Sequence, residues 1–477
     1  MARASLLLRV CKLNNTCART LVRVIAAQPH FHVEDIATTP VKDKKPVFKA
    51  PHEAVSLIYS DDNVFVHGIA ATPTPLLKGL CLHAKEKSLK NVTLHHLLAQ
   101  GEAPWIEPEY HGVIRSNSLF TGSNLRSAVN DGRADFNWIF LSEVPWLFRS
   151  KLIDLDVALI NVSIPDKKGY CSLGTNVDAT RAALTNAKRI IAQVNPNMPR
   201  TLGDAIVHSS RFDVTVFGDH LPHVRPLTKV TATEKAIGKG IAENLVQDGA
   251  TLQVGIGAIP DACLSHLKGH KDLGLHTEMF SDGILDLVDC GALTNACKKI
   301  HPGKLVSSIV YGTRRLYKFI DNNPMVYLGD ITWVNDASMI RQNQKFTAIN
   351  SAIEVDLTGQ VVADSVGKRL VSGVGGQTDF IRGAALSNDG KGRAIIALPS
   401  LNKKGLSTIV PYLRDGAGVV TTRASAHYIA TEYGIAYIFG KNMRQRAYEM
   451  IKIAHPEHRE CLEKAAFERL NCMPSPD

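Results

Sequence analysis

Apolar and polar positions follow one another in blocks that predict short buried strands separated by helices. Residues 51–80 show helical periodicity, then an apolar strand at Val64–Val66, a loop rich in Gly and Pro, and a second apolar helix. The same order recurs in residues 234–267, where the strand is Leu252–Val254 and a helix is expected from about Pro260. This repeat predicts two α/β halves built on one plan.

The loops that follow these two strands are also alike. Gly68–Pro73 and Gly255–Pro260 agree at four of six positions, which is difficult to obtain by chance in unrelated loops. We therefore expect the chain to divide near Lys229–Thr233, after two prolines, into domains that span residues 45–230 and 231–477.

Other apolar blocks fit the same plan. The stretches VALINVSI and RIIAQVN in the first half, and AIIALPS and GVVTTRA in the second, predict further short strands. Strands that alternate with helices favour two similar open α/β domains, each with a mostly parallel sheet and helices on both faces. Such sheets bind ligands where their strands end, and Glu278 ends a strand predicted at Gly274–Met279.

The first 33 residues are rich in arginine and contain neither Asp nor Glu. They resemble a mitochondrial transit peptide, because apolar residues separate the cations and the longest apolar run, Leu6–Leu8, is too short for a secretory signal or a membrane span. The alternative is a basic terminus that carries no targeting signal. We expect residues 1–33 to direct the protein to the mitochondrial matrix, with no membrane insertion.

Length, charge and cysteine usage narrow the function further. The 477 residues are 45% hydrophobic and 21% charged, enough for two or three domains. Half of the net charge of +10 lies in the leader; the remainder suits an anionic small-molecule ligand, and no basic stripe indicates a nucleic-acid surface. The nine cysteines form no C-x-x-C pair or metal-ligand spacing, so we expect a reduced compartment and no metal.

Two glycine-rich segments are candidate binding loops. Gly255-Ile256-Gly257-Ala258-Ile259 opens a predicted helix, whose first N–H groups attract anions, but it lacks the third glycine of a dinucleotide fingerprint. Gly373–Gly376 contains three glycines, whose backbone N–H groups suit an oxyanion hole. For each loop the alternative is a tight turn that needs glycine for steric reasons alone.

Glu278 has two interpretations from the residues around it. It precedes Ser281-Asp282-Gly283, which looks like a helix start, so its position favours a carboxylate that caps this helix. A reactive, desolvated carboxylate would instead need a nearby donor, such as His276 or Ser281, to keep it ionised. For His276, an equally good interpretation is a histidine that is packed within the strand and does not contact Glu278.

Five segments taken together resemble the acetyl-CoA hydrolase/transferase family of class I CoA-transferases. They are GIGAIPDACL, LGLHTEMFSDG, AINSAIEVDLTGQV, SGVGGQTDF and TEYGIAYIFGK, and the similarity runs in order from about Pro51 to His455. The resemblance implies the CoA-transferase fold, with the active site at the interface between the two domains.

The resemblance also implies roles for particular residues. The family's nucleophile falls on Glu278, which reverses the preference for a helix cap, and Gly376 and Asn335 would stabilise the oxyanion. Contacts with CoA or its cleft are implied for Gly255, Ile256, Gly257, Ala258, Ile259, Asn350, Gly375, Gly376 and Lys404, the last as a phosphate partner.

The implied reaction is transfer of CoA from acetyl-CoA to succinate, by a ping-pong mechanism through a glutamyl-CoA thioester. CoA is then a substrate, acyl-CoA and small carboxylic acids are the partners, and no cofactor is expected. The alternatives are acetyl-CoA hydrolysis, with water as acceptor, a 4-hydroxybutyrate- or butyrate-type transferase, or a non-catalytic CoA-binding regulator. A homodimer is the default expectation for such an enzyme.

Overall fold

The computed structural model describes residues 36–226 and 229–477. The predicted leader, residues 1–33, lies outside the described residues. The α-helices are α1 (Pro51–Ala54), α2 (Thr74–Glu86), α3 (Arg126–Asn130), α4 (Val144–Arg149), α5 (Thr180–Asn186), α6 (Ala232–Leu245), α7 (Ala258–Ser265), α8 (Gly283–Asp289), α9 (Arg314–Ile320), α10 (Ile331–Val334), α11 (Ala337–Ile340), α12 (Gln377–Ala385), α13 (Met443–Lys452) and α14 (Pro456–Leu470). Short 3₁₀ turns lie at Val55–Leu57, Pro104–Ile106, Pro108–Tyr110, Leu141–Glu143 and Ser209–Arg211.

The strands lie before or between these helices, singly or in consecutive runs. They are β1 (Val47–Phe48), β2 (Asn63–Val66), β3 (Val92–Leu97), β4 (Ile114–Phe120), β5 (Asp135–Phe136), β6 (Val157–Val162), β7 (Tyr170–Ser172), β8 (Arg189–Val194), β9 (Ile206–His208), β10 (Val214–Phe217), β11 (Thr251–Val254), β12 (Gly274–Leu275), β13 (Met279–Phe280), β14 (Leu305–Ser307), β15 (Ile309–Val310), β16 (Val326–Leu328), β17 (Thr347–Ser351), β18 (Glu354–Asp356), β19 (Val361–Val362), β20 (Ser365–Val366), β21 (Arg369–Leu370), β22 (Arg393–Ala397), β23 (Ile409–Val410), β24 (Tyr428–Thr431) and β25 (Gly434–Tyr437).

Eight parallel strands form the first sheet, in the order β1-β10-β8-β6-β2-β3-β4-β5. Its strand β6 is buried along its whole length. A strand covered on both faces needs apolar side chains on both, which explains the continuous apolar sequence there. Val64 of β2 lies opposite Val157 on one side and Leu94 on the other, so β2 occupies the middle of the sheet.

Six strands form the second sheet, in the order β12-β11-β17-β22-β24-β25. Neighbouring strands are parallel except for β24 and β25, which form an antiparallel hairpin. The fold class predicted from the sequence, α/β with mostly parallel sheets, is confirmed.

The two repeated segments fold in the same order. In each copy a helix precedes a strand, β2 or β11, and a glycine-containing loop then leads into a second helix, α2 or α7. The second copy begins with a capping box, in which Thr231 and Glu234 satisfy each other's backbone N–H groups. The predicted boundary at Lys229–Thr233 lies at this start of α6, between the strands of the first sheet and those of the second.

Two predicted strands are wrong. Residues 418–424, GVVTTRA, join neither large sheet, because Val361 and the Ser365 hydroxyl take up the backbone hydrogen bonds of this stretch. The strand predicted at Gly274–Met279 is two strands, β12 and β13, that belong to different sheets. Between them the chain crosses over, because the N–H of His276 bonds to β11 whereas that of Thr277 bonds to Val306 of β14.

The two halves pack tightly against each other. One hydrophobic core cluster contains Phe65 and Phe148 from the first half together with Phe280 and Leu316 from the second. In addition, the segment that precedes α12 is hydrogen-bonded to the first half: the carbonyls of Ser372 and Gly375 accept from Thr121 N–H at 3.1 Å and Leu141 N–H at 3.0 Å, and the Val371 carbonyl accepts from the Arg126 guanidinium at 2.8 Å. The position of this segment therefore depends on how the halves meet.

Candidate active site

A cavity of about 310 Å³ lies between the two halves. The first half supplies an apolar wall and the second half supplies most of the polar groups. The lining residues are Ile69, Leu97, Leu98, Phe120 and Leu141 from the first half, and Gln253, Val254, Gly255, Ile256, Pro260, Glu278, Met279, Ile309, Asn350, Ser351, Ala363, Ser372, Gly373, Val374, Gly375, Gly376 and Gln377 from the second. None of these lining residues is Lys, Arg or His.

The backbone of Glu278 is fixed at the crossover between β12 and β13. Its carbonyl oxygen accepts from the N–H groups of Ser308 and Ile309, each at 3.0 Å, and from the Ser307 hydroxyl at 2.9 Å. The preceding Thr277 hydroxyl bonds to the carbonyls of Val254 and Met279. These bonds hold the Glu278 side chain at the cavity wall, where it keeps some accessible surface.

Two donors from separate elements meet the Glu278 carboxylate. The side-chain nitrogen of Asn335, which directly follows α10, donates to Oε2 at 3.3 Å, and the backbone N–H of Gly376, the residue before α12, also donates to the carboxylate. Burial raises the pKa of Glu278 to about 7; the bonds from Asn335 and Gly376 oppose this rise, while the charge of Asp379 adds to it. The carboxylate therefore changes protonation state near neutral pH.

Gly376 fits this position because a side chain there has no room. A Cβ atom on Gly376 would overlap Oε2 of Glu278 and Nδ2 of Asn335. The backbone dihedral φ of Gly376 is −100°, a value that other residues adopt readily, so the requirement for glycine comes from close approach and not from backbone strain.

Asn335 is almost completely buried, with 1% of its surface exposed. Its position is set by α10, which Asp330 caps by accepting from Thr332 N–H, and by its own N–H, which bonds to the Ile331 carbonyl at 3.0 Å. The same side-chain nitrogen that reaches Glu278 also donates to Oδ2 of Asp379 at 3.2 Å. One amide nitrogen therefore bridges two carboxylates.

Asp379 is a site residue that the sequence analysis missed. It lies in the first turn of α12, and Ser142 of the first half donates to it from its hydroxyl at 2.9 Å and from its N–H at 3.3 Å. Burial raises the pKa of Asp379 to about 7, against the opposing bonds from Ser142 and Asn335. The available signal was the acid three residues after the last glycine of the cluster in SGVGGQTDF.

His276 and Ser281 do not hold the Glu278 carboxylate, so that prediction is wrong. His276 bonds through Nε2 to the Val334 carbonyl at 2.7 Å, and burial lowers its pKa to about 3, so it is neutral and packed. Ser281 bonds to Asp261 at 3.3 Å. The helix-cap interpretation of Glu278 is also wrong, because α8 begins after Asp282 without a side-chain cap.

The loop Gly255-Ile256-Gly257-Ala258-Ile259 borders the cavity. Gly255 and Ile256 line it, Gly257 precedes α7 with a φ of +153° that favours glycine, and Ala258 and Ile259 form the first turn of that helix. Ile259 is buried in the core and does not line the cavity.

Asn350 and Gln253 form a reciprocal amide pair on adjacent strands. Asn350 Nδ2 donates to Gln253 Oε1 at 2.9 Å, and Gln253 Nε2 donates to Asn350 Oδ1 at 3.2 Å. Both line the cavity, as expected for Asn350. Gln253 was missed, although it is the one amide in the apolar strand TLQV.

The structure brings most predicted residues together but leaves one apart. Glu278, Gly376 and Asn335 are in direct contact, and Gly375 lines the same cavity. Lys404 is exposed in a turn between β22 and β23, where its N–H bonds to Asn402, and it does not line the cavity. Its role as a phosphate partner stays a prediction.

The described part of the chain shows neither a metal-binding cluster nor a membrane-spanning helix. Residues 36–226 and 229–477 contain no cluster of three or more His, Cys, Asp or Glu side chains arranged to hold a metal ion. Within the same ranges, the helices are too short or too polar to cross a membrane.

Comparison with known proteins identifies the family of the chain. The acetyl-CoA hydrolase/transferase N-terminal domain matches residues 42–224, and the C-terminal domain of the same name matches residues 312–466. The succinyl-CoA:acetate/propanoyl-CoA:succinate CoA transferase of Fasciola hepatica is 57% identical over 89% of this chain and 88% of its own length. The 4-hydroxybutyrate coenzyme A transferase of Clostridium kluyveri is 47% identical over 86% of this chain and 95% of its own.

A solved structure extends the similarity to three dimensions. The crystal structure of RipA from Yersinia pestis superimposes with a TM-score of 0.83 at 32% sequence identity, covering 89% of this chain and 97% of RipA. Sequence and fold thus agree over most of the chain, and we conclude that it belongs to the acetyl-CoA hydrolase/transferase family.

Proposed function

We propose that the protein is an acetate:succinate CoA-transferase, which moves CoA from acetyl-CoA to succinate through a glutamyl-CoA thioester on Glu278. The observation that carries this proposal is the contact of the Glu278 carboxylate with two donors, Gly376 N–H and the Asn335 amide, at the wall of a cavity. The similarity to the Fasciola hepatica enzyme, whose name includes succinyl-CoA and acetate, supports the choice of substrates.

The environment of Glu278 suits a nucleophile. Burial has removed much of the water that would stabilise its charge, so the ionised carboxylate is more reactive than one in bulk solvent. The thiolate of CoA is a good leaving group, so a carboxylate is sufficient to open a thioester without a metal or cofactor.

The reaction proceeds in two balanced halves. Glu278 attacks the acetyl carbonyl of acetyl-CoA, the carbon–sulfur bond breaks, and a glutamyl-acetyl anhydride and CoA thiolate result. The thiolate then attacks the glutamyl carbonyl, which releases acetate and leaves the glutamyl-CoA thioester. Succinate enters the vacated space and repeats the steps in reverse, so that succinyl-CoA departs and Glu278 is regenerated. Ping-pong kinetics follow from this order.

Attack of the CoA thiolate on the glutamyl carbonyl forms a tetrahedral oxyanion on an oxygen of Glu278, which the donors around Glu278 are placed to stabilise. Asn335 already donates to Oε2 of Glu278, and Gly376 N–H donates to the same carboxylate, one oxygen of which becomes the carbonyl oxygen of the anhydride and the thioester. Because both groups are held by the protein before reaction, little reorganisation is needed at the moment of attack.

Apolar and polar parts of the cavity suit different parts of the substrate. The apolar wall formed by Leu97, Phe120 and Leu141 suits the short hydrocarbon part of an acyl group. The loop Gly255–Ile259 and the start of α7 offer backbone N–H groups to a negatively charged part of CoA.

Two enzymatic alternatives use the same nucleophile. In a hydrolase, water in place of succinate attacks the glutamyl-CoA thioester. In a 4-hydroxybutyrate-type transferase, for which the similarity to the Clostridium kluyveri enzyme argues, a different acid is the acceptor. A CoA-binding regulator would bind acyl-CoA at the cavity without forming a covalent bond.

One experiment separates these functions. The purified protein is incubated with acetyl-CoA, and intact-mass spectrometry measures addition of CoA; a peptide map then locates it. We expect the adduct on Glu278 and its loss, with formation of succinyl-CoA, when succinate is added. Glu243→Gln, a change on the exposed face of α6, serves as the matched control. Absence of any adduct would support a regulator, decay in buffer as fast as in succinate a hydrolase, and discharge by 4-hydroxybutyrate but not succinate the other transferase.

We also propose that the enzyme acts in the mitochondrial matrix as a homodimer. The support for the location is the arginine-rich, acid-free leader of residues 1–33, and the support for the dimer is the prevalence of symmetric dimers among soluble enzymes. A reporter fusion tests the first, and light scattering of the purified protein tests the second.

A further inference from the structure

We infer that Asp379 is a positioning residue for transfer: its carboxylate, anchored by Ser142 of the first half, fixes the Asn335 amide with its nitrogen toward Glu278. This inference rests on the proposed function, because it concerns how one donor of that site is oriented. Asp379 has no contact of its own with the Glu278 carboxylate among the hydrogen bonds of the described residues, and it acts through Asn335.

The orientation of the Asn335 amide is determined by the two hydrogen bonds that its side-chain nitrogen donates. An ionised carboxylate only accepts hydrogen bonds, so Glu278 and Asp379 each require an N–H from the amide that lies between them. The two distances are 3.3 Å and 3.2 Å, which uses both hydrogens of Nδ2. The amide oxygen, Oδ1, is buried without a hydrogen-bond partner within the described part of the chain. Nothing on the oxygen side therefore selects the productive rotamer.

Removing Asp379 would take away one of the two groups that select this rotamer. The amide could then turn by 180° and place its oxygen beside the Glu278 carboxylate, where it would repel the charge and stabilise no oxyanion. This arrangement places a second acid close to Glu278. The negative charge of Asp379 by itself opposes the ionisation of Glu278. An acid at this place is explained when its task is to orient Asn335.

Ser142 connects this arrangement to the packing of the two halves. Its hydroxyl and N–H donate to the two oxygens of Asp379, at 2.9 Å and 3.3 Å. The adjacent Leu141 N–H bonds to the carbonyl of Gly375, one residue before the second donor, Gly376, at 3.0 Å. Both donors that face Glu278 are therefore held in place by one short segment, Leu141–Ser142, of the first half.

The charges around the pair determine the expected pH dependence. Asp379 and Asp178 face Glu278, and Glu143 faces Asp379, so each neighbouring acid favours the neutral form of its partner. Changing Asp379 to asparagine removes one of these charges but can keep the geometry. The new side-chain oxygen can accept from Asn335, and the new side-chain nitrogen can donate to the Ser142 hydroxyl, which also accepts.

The test compares Asp379→Asn, Asp379→Ala, Asn335→Ala and the double change to alanine, with Asp289→Ala, an exposed residue of α8, as the control. The measurements are steady-state transfer from acetyl-CoA to succinate and its pH profile. We expect Asp379→Ala and Asn335→Ala each to lower kcat about 100-fold or more, as loss of an oxyanion donor does. The double variant should lose no more than about threefold further, because the two changes remove one interaction.

Asp379→Asn gives the result that a merely structural residue would not give. It should retain kcat within about tenfold of the unchanged enzyme at pH 8, while the acid limb of kcat/KM moves to lower pH, because a charge near Glu278 is gone. The inference is overturned if Asp379→Ala transfers within threefold of the unchanged enzyme, if the two alanine losses multiply, or if Asp379→Asn leaves the acid limb in place.

The test also covers a variant that does not fold and an enzyme that shows no transfer activity. If Asp379→Ala does not fold, the pH profile of Asp379→Asn still tests the inference. Ser142→Ala provides a second test, because we expect its kcat to be at least tenfold lower. Full activity of Ser142→Ala would contradict the inference. If the unchanged enzyme forms no succinyl-CoA, the proposed function fails before Asp379 is in question. Failure of the inference and failure of the function are thus distinguishable.

Discussion

The side-chain nitrogen of Asn335 lies 3.3 Å from Oε2 of Glu278 and donates a hydrogen bond to it. The two residues are brought together from different elements, Glu278 from the crossover between β12 and β13 and Asn335 from the end of α10. Asn335 itself is almost completely buried, with 1% of its surface exposed. This contact gives the carboxylate a hydrogen-bond partner, and in the proposed mechanism the same amide stabilises the oxyanion.

Replacing Glu278 by glutamine should abolish CoA transfer while the protein stays folded. Glutamine keeps the volume and can still accept from Asn335 and Gly376, but its amide is not a nucleophile. We expect turnover to fall at least a thousandfold and the adduct with acetyl-CoA to disappear. Glu243→Gln is the control, and retention of more than a few per cent of activity by the Glu278 variant would exclude it as the nucleophile.

The aspartate variant at the same position tests placement. Glu278→Asp keeps the carboxylate but withdraws it by one methylene, away from Asn335 and Gly376. A misplacement near 1 Å typically costs about a hundredfold in rate. We expect a loss of that size in kcat, and activity close to that of the unchanged enzyme would mean that the geometry is not limiting.

Gly376→Ala should lower turnover much more than thermal stability. The new Cβ overlaps Oε2 of Glu278 and Nδ2 of Asn335, so both groups must move from their places. We expect a loss of about 100-fold or more in kcat, with a melting midpoint within a few degrees of the unchanged protein. Gly240→Ala in α6 is the matched control, because a Cβ there meets no atom within 4 Å. Equal activity of the two variants would contradict the close approach.

The pH profile should report the protonation of Glu278. Burial raises its pKa to about 7, and the proposed nucleophile is its ionised form, so kcat/KM should rise about tenfold per pH unit below that value and level off above it. Steady-state rates between pH 5.5 and 8.5 measure this. A flat profile over that range would show that Glu278 is already fully ionised at the acid end.

The same raised pKa predicts how Glu278 affects stability. The folded state holds the proton more tightly than the unfolded state, so stability falls as pH rises from the ordinary value of 4.5 toward 7 and stays lower above it. Glu278→Gln lacks this loss. Its melting temperature at pH 8 should exceed that of the unchanged protein by roughly 3 °C, and the difference should vanish near pH 5. Glu243→Gln should show no such pH-dependent difference.

The sequence by itself determined the class of fold, and it predicted the main residues of the candidate site. Periodicities of apolar residues predicted the helices and strands of both repeats, because burial on both faces of a parallel sheet requires continuous apolar runs, as in β6. The glycine at position 376 and the acid at position 278 were also found from the sequence, since local motifs contain both.

The tertiary structure decided which groups meet. Glu278 does not end one long strand but lies where the chain passes between sheets, which depends on the separate partners of His276 and Thr277. Asp379 and Ser142, 237 residues apart in the chain, come into contact across the two halves, and no local pattern encodes such a contact. The rotamer of Asn335 depends on both carboxylates at once. Periodicity records which side chains are buried, whereas hydrogen bonds between distant segments exist only after the halves have packed together.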